Sequence, residues 1–168
     1  MSDSKNVARI IELADGEIIG RVRLQKMLFL LAEKGLGNID SSTFTYHHYG
    51  PYSSALAAET EEAKSDNLVD EKFKNRSSDG ARYSVFKFVG EPTITPASGD
   101  EQIIISRLKS ESSTVLELAA TARWLFQHEK VDDWRAEIKK RKGVKTENGR
   151  LDKAIALLRE IDLSPSPA

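Results

Sequence analysis

Apolar residues recur every three to four positions through several stretches of the chain. Val7, Ile10, Ile11 and Ala14 make one stripe, which predicts a helix over 4–14 with Ser4 as its N-cap and Gly16 near its end. Leu24, Met27, Leu28 and Leu31 repeat the spacing over 21–33. Val22 and Phe29 widen that apolar face, so the second helix is expected to be buried on most sides, with Gly35 and Gly37 stopping it. The intervening Gly16-Glu17-Ile18-Ile19-Gly20 reads as a loop between two glycines.

"STFTYHH" alternates β-branched and aromatic residues, which predicts a short strand with Phe44, Tyr46 and His48 on one face. Gly50-Pro51 is expected to turn the chain, because proline fixes its own φ and keeps the residue before it out of the right-handed helical region. A third helix follows from 52 or 53 to 65, with Leu56 and Ala63 inward. "NLVDEKF" and "ARYSVFKFVG" read as two strands, with Phe86 and Phe88 on one face, joined by "KNRSSDG", whose Asp79-Gly80 favours a hairpin turn. Beyond "GEPTITPASGD" the pattern turns helical: 103–110, then Val115, Leu118, Ala119, Ala122 and Leu125, then a helix from about Val131 with Trp134 and Ile138. Leu151, Ala154, Ile155, Leu158 and Ile161 complete the series.

These elements predict a mainly α protein with a small β hairpin, an α+β fold. Helix, helix, short strand, helix and hairpin follow the order of a winged helix-turn-helix, so 4–90 is read as a winged-helix-like half packed with C-terminal helices over 101–162. Residues 91–100 form a linker or surface loop and 163–168 a disordered tail.

With 168 residues, 39% hydrophobic and 30% charged, the chain can build a core without staples. It has no Cys, which removes disulfides, thiolate metal sites and cysteine nucleophiles. No apolar run approaches the roughly 18 residues a membrane span requires, and Glu12, Asp15 and Glu17 interrupt the N-terminus, so the expected location is the cytoplasm. A formal net charge of −1 means that a nucleic-acid role has to rest on local clusters.

"YHHYGPYSS", 46–54, is the densest collection of reactive residue types. A Ser-His pair there lacks the third orienting group, oxyanion hole and strained G-x-S-x-G turn of a hydrolase. His47 and His48 are adjacent and point to opposite faces of a strand, His128 lies on a distant helix, and no H-x-x-x-H or H-E-x-x-H occurs. No phosphate loop or dinucleotide fingerprint is present. Neither catalytic residues, metal ligands nor a cofactor are therefore expected. Gly50, Pro51 and Tyr46 read as anchors of a corner, whereas Tyr49 and Tyr52, flanking the bend, are equally well read as contacts for a partner.

The third helix would be the groove-reading helix of a winged domain, yet it carries Glu59, Glu61 and Glu62, which phosphates would repel. The hairpin offers Lys72, Lys74, Arg76 and Arg82. A denser cluster, with Lys139, Lys140, Arg141 and Lys142, is either the solvated end of a helix or a nucleic-acid patch. Arg21, Arg23, Gln25 and Lys26 on the apolar second helix either cap neighbours and pair with the acidic third helix, or form a polar socket.

"GRVRLQKMLFLL", 20–31, followed by "FTYHHYGPYSSAL", 44–56, resembles the Panacea domain, the SocA-like antitoxin family, and especially its YwgA-like branch. "TVLELAATARWL" and "LDKAIALLREI" are similar to that family's later helices, so the resemblance covers most of the chain. It marks Leu24, Gln25, Lys26, Tyr49, Gly50, Pro51 and Tyr52 as motif positions, with Arg23 and Tyr46 beside them. It implies a small non-enzymatic protein that binds and neutralises a toxin encoded beside it, or hands that partner to a protease. The expected docking surface is the Tyr49–Tyr52 corner with Glu59 and Glu61 of the following helix. The alternative is a winged helix-turn-helix DNA-binding regulator, which the acidic third helix disfavours.

Overall fold

The stripe that begins the chain forms α1, Ser4–Leu13, and buries Val7, Ile10 and Ile11 completely. Left-handed backbone at Asp15 and Gly16 ends it. The computed structural model describes residues 4–93 and 97–165. Seven α-helices and five strands occupy the described residues, and the chain is an α+β protein.

Glu17–Ile19 is a strand, β1, and not the loop that its flanking glycines suggested. It pairs antiparallel with the strand Arg82–Phe88, setting Ile18 opposite Phe86. Three residues are too few to display a period, and the positive φ of Gly16 and Gly20 is what swings the chain onto the sheet edge and off it again. The central helix α2, Arg21–Glu33, has the expected bounds and buries nine consecutive residues, Leu24 to Ala32.

The "STFTYHH" segment divides. Residues Ser41–Thr43 form a 3-10 turn capped by Asp40, whose carboxylate accepts from the Ser42 amide at 3.0 Å. Only Thr45–His47, β2, is extended, and it pairs with β3, Gly50–Tyr52, placing Tyr46 opposite Pro51. The reversal expected at Gly50-Pro51 therefore sits one step earlier, at His48-Tyr49, and the Gly-Pro pair opens the returning strand. The Ser53 side chain then accepts from the Leu56 amide at 3.1 Å and starts α3, Ser54–Ser65.

β4, Val69–Asn75, and β5, Arg82–Phe88, form the wing, completing a three-stranded antiparallel sheet of order β1-β5-β4. Serines at 98 and 112 cap α4, Gly99–Lys109, and α5, Ser113–Arg123. α5 runs into a π-helical turn at Trp124–His128 that the helical spacing gave no sign of. α6, Trp134–Lys142, and α7, Arg150–Glu160, follow.

One buried apolar cluster takes in Leu28 and Leu31 of α2, Leu116 and Ala119 of α5 and Leu158 of α7, so both halves share a core. Within the 91–100 segment Thr93 is tied to Glu12, 94–96 lie outside the described residues, and α4 begins at Gly99. Leu163, at the head of the expected tail, is buried with its amide on the Leu158 carbonyl, and 166–168 lie outside the described residues. No helix among the described residues is long and apolar enough to cross a membrane.

Candidate functional site

The two segments that carry the family resemblance meet. Gln25 in α2 faces Ser53 and makes a reciprocal pair with it: its amide nitrogen donates to the Ser53 carbonyl at 3.0 Å, and its oxygen accepts from the Ser53 N–H at 2.9 Å. One position on, the Lys26 ammonium donates to the Pro51 carbonyl at 2.7 Å. A short, irregular hairpin has few backbone partners of its own, so Gln25 supplies a partner to the buried Ser53 N–H and a second donor to the Ser53 carbonyl, which also accepts from the Ala57 amide.

Lys26 is 1% exposed, an expensive place for a cation. Burial pushes its pKa down to about 8, against the attraction of Glu117 and with the help of repulsion from Lys142. Glu117 is buried within α5 and bonds Lys142 at 2.9 Å and Lys145 at 3.1 Å. Lys142 in turn donates to the His48 carbonyl at 2.9 Å, so cations hold the hairpin from both sides.

Gly50 completes the fit. Its φ is +96°, and a Cβ at this position would lie 2.6 Å from the Thr121 hydroxyl oxygen. That hydroxyl is buried without a hydrogen-bond partner among the described residues.

Fixed in this way, the hairpin displays its aromatic rings differently. Tyr49 at the turn is 54% exposed, with the Lys145 ammonium 4.9 Å from its ring centre. Tyr46 is half-buried between the Arg141 guanidinium, 4.9 Å away, and Trp124. Tyr52 is half-buried, meets His47 edge-on, and lines a largely apolar pocket of about 230 Å³ with Leu24, Ala57, Glu61 and Phe86. Glu61 is exposed and paired with Lys64 at 3.1 Å, and Glu59 is half-buried on the same helix.

The remaining expected site residues lie elsewhere. Arg23 donates to the Glu111 carbonyl ahead of α5, and burial lowers its pKa although Glu111 opposes the shift. Arg21 pairs with Glu71 of β4 at 2.9 Å, and not with the acidic α3. Burial alone would raise the Glu71 carboxyl, but hydrogen bonds from Lys64, Ser84 and Arg21 outweigh it and hold the pKa below its ordinary value. The basic cluster of α6 comes apart: Lys139 and Lys140 are exposed, Arg141 is paired with Glu129 at 2.9 Å, and Lys142 is turned inward onto Glu117. Among the described residues no group of three or more His, Asp and Glu side chains is placed to hold a metal ion.

Glu117 and Thr121 were not singled out in the sequence. Glu117 carried a usable signal, as a lone acid inside the otherwise apolar "TVLELAATA", where only an internal cation makes a carboxylate tolerable. Thr121 carried none.

The chain is similar to YwgA. Over 110 residues it is 33% identical to the uncharacterized protein YwgA of Bacillus subtilis (strain 168), a match covering 63% of this chain. The chain spans 64% of the length of that curated relative. No family model matches it, and no solved structure matches it.

Proposed function

We propose that the protein is a non-enzymatic protein-binding module of the Panacea or SocA-like antitoxin type, working in the cytoplasm. It binds a partner protein, a toxin encoded by an adjacent gene, and neutralises it or presents it to a protease. The observation that carries this reading is the convergence of Gln25 and Lys26 on Pro51 and Ser53, which presents Tyr49 and Tyr52 on a fastened hairpin. Interfaces concentrate their energy in preorganised aromatic residues beside desolvated pockets, and the 230 Å³ hollow between Tyr52 and Glu61 suits one large apolar side chain of a partner. Glu61 on its lining, with the exposed Glu62 next in α3, favours a basic surface around that side chain.

The test is co-purification with the product of the neighbouring gene. Tyr52→Ala and Glu61→Lys should each weaken the complex, Tyr52→Ala by about tenfold or more. An unchanged affinity in both variants refutes this placement of the surface.

A second reading, a DNA-binding regulator, is favoured by the exposed Lys72, Lys74, Arg76 and Arg82 of the wing. The acidic outer face of α3 and the dispersal of the α6 cluster weigh against it. Retention on duplex DNA that falls with salt, and falls again on replacing Lys139 and Lys140, supports it. Retention indifferent to both disposes of it.

A further inference from the structure

A second depression adjoins the Tyr52 pocket at Arg21 and lies between the start of α2, the wing turn and the start of α5. Its volume is about 980 Å³, at the upper end of what small-ligand sites occupy. Five cations line it, Arg21, Arg23, Arg76, Arg82 and Lys145, against one carboxylate, Glu117, which is itself bonded to two lysines.

Three of these cations have a partner: Arg21 has Glu71, Arg76 has Asp79, and Lys145 has Glu117. The other two have no ion pair among the described residues. Arg23 spends its donors on the Ile19 and Glu111 carbonyls, and the Arg82 guanidinium lies 3.7 Å from the centre of the Phe73 ring, with its side chain exposed. The uncharged lining is donor-rich as well, with the hydroxyls of Ser77, Ser78, Tyr83, Ser113 and Thr114. Ser113 and Thr114 stand in the first turn of α5, where the helix dipole adds positive potential.

A wall of forked guanidinium groups and hydroxyls, with so little acid, matches a ligand made of oxyanions. Arginine recognises phosphate through two parallel charge-assisted hydrogen bonds, which a halide cannot return. A single phosphate would leave most of the volume unfilled. Tyr49 stands on the lining with its ring half in solvent, a surface on which a base can stack.

We propose that this groove binds a phosphate-bearing ligand of nucleotide size or larger, gripped at the wing by Arg82 and by Arg76, which exchanges its exposed pair with Asp79 for the ligand. The source is a free nucleotide or a single nucleic-acid strand, and the two are separable. The groove shares Tyr49 with the protein-docking surface and Arg21 with the Tyr52 pocket, and the two sites are told apart by Tyr52 and Glu61, neither of which lines the groove.

The experiment titrates the full chain by calorimetry with ATP and with inorganic triphosphate, and by fluorescence anisotropy with a labelled ten-residue oligothymidylate. Saturable binding of at least one probe is expected. Arg82→Gln and Arg76→Gln should each weaken it about tenfold, the loss of one charge-assisted contact. A Lys139→Gln/Lys140→Gln variant should leave it unchanged. A nucleotide site binds ATP at one per chain and no more weakly than the oligonucleotide. A strand site prefers the oligonucleotide, with an affinity that falls steeply as salt is raised. Thermal melts of the two arginine variants that match the parent tie the loss to the contact. The proposal is overturned if no probe binds at millimolar concentration, if binding survives both arginine substitutions, or if an acidic Glu decapeptide binds more tightly than every phosphate probe.

Discussion

Two sets of lysines, drawn from the same residue type and in part from the same helix, have opposite fates. Lys26 and Lys142 are buried and directed at carbonyls of the β2–β3 hairpin, with Glu117 between them. Lys139 and Lys140, three and two residues before Lys142, stand in solvent. The first set is costly to bury and fixes geometry, while the second contributes charge to a solvated helix end. A basic residue therefore acquires its role from what the fold sets opposite it, and local charge density is a poor guide to that.

Unfolding experiments can break this contrast. Lys26→Ala should be the most damaging substitution, costing on the order of 4 kcal/mol, because it empties a buried site, takes the donor from the Pro51 carbonyl and removes a cation that attracts the buried Glu117. A loss below about 1 kcal/mol in urea titration would place Lys26 in water. Gly50→Ala should cost about 3 kcal/mol, from left-handed backbone and the approach to Thr121, and adding Thr121→Ala should return part of it. Independent, additive losses would mean that the close approach carries no energy. Gln25→Ala should cost about 2 kcal/mol by leaving the buried Ser53 N–H unpaired, the Ser53 carbonyl keeping the Ala57 amide. Amide exchange at Ser53 is the local check, and it should quicken in that variant.

The pH profile sharpens the comparison further. Lys26 holds its proton less tightly when folded, near 8, than at its ordinary 10.5. Between these values the unfolded chain binds more protons, so this residue's contribution to stability grows as pH rises across the window, by on the order of 2 kcal/mol. Subtracting the profile of Lys26→Met from that of the parent isolates the effect, and a flat difference contradicts it. Smallest of all, Lys139→Ala should change stability by less than about 0.5 kcal/mol in the same titrations.

Much of the helical scaffold was readable because amphipathic spacing reports directly on burial. α2 and α7 are found where Leu24-Met27-Leu28-Leu31 and Leu151-Ala154-Ile155-Leu158 set them. The strands were harder. β1 is three residues long, and β3 contains a proline, normally a breaker, tolerated because its strand has one neighbour, β2. Within the candidate site, the L-Q-K and Y-G-P-Y-S segments were each visible, but their union depends on tertiary placement of α2 beneath the hairpin. The inward turn of Lys142 was hidden for the same reason: four consecutive basic residues look alike until a buried acid selects one of them.

The fastening of the hairpin also bears on how the molecule comes off the ribosome. Gln25 and Lys26 are already made when residues 48–53 emerge, whereas the clasp on His48 waits for Lys142, synthesised 94 residues later. Nascent chains halted before that point would carry the aromatic face half-tethered, and those halted before Thr121 would also leave Gly50 without its α5 backstop. The exposed face of the hairpin is thus among the last features of the molecule to mature, and truncations that spare every residue of the hairpin itself should still disorder it.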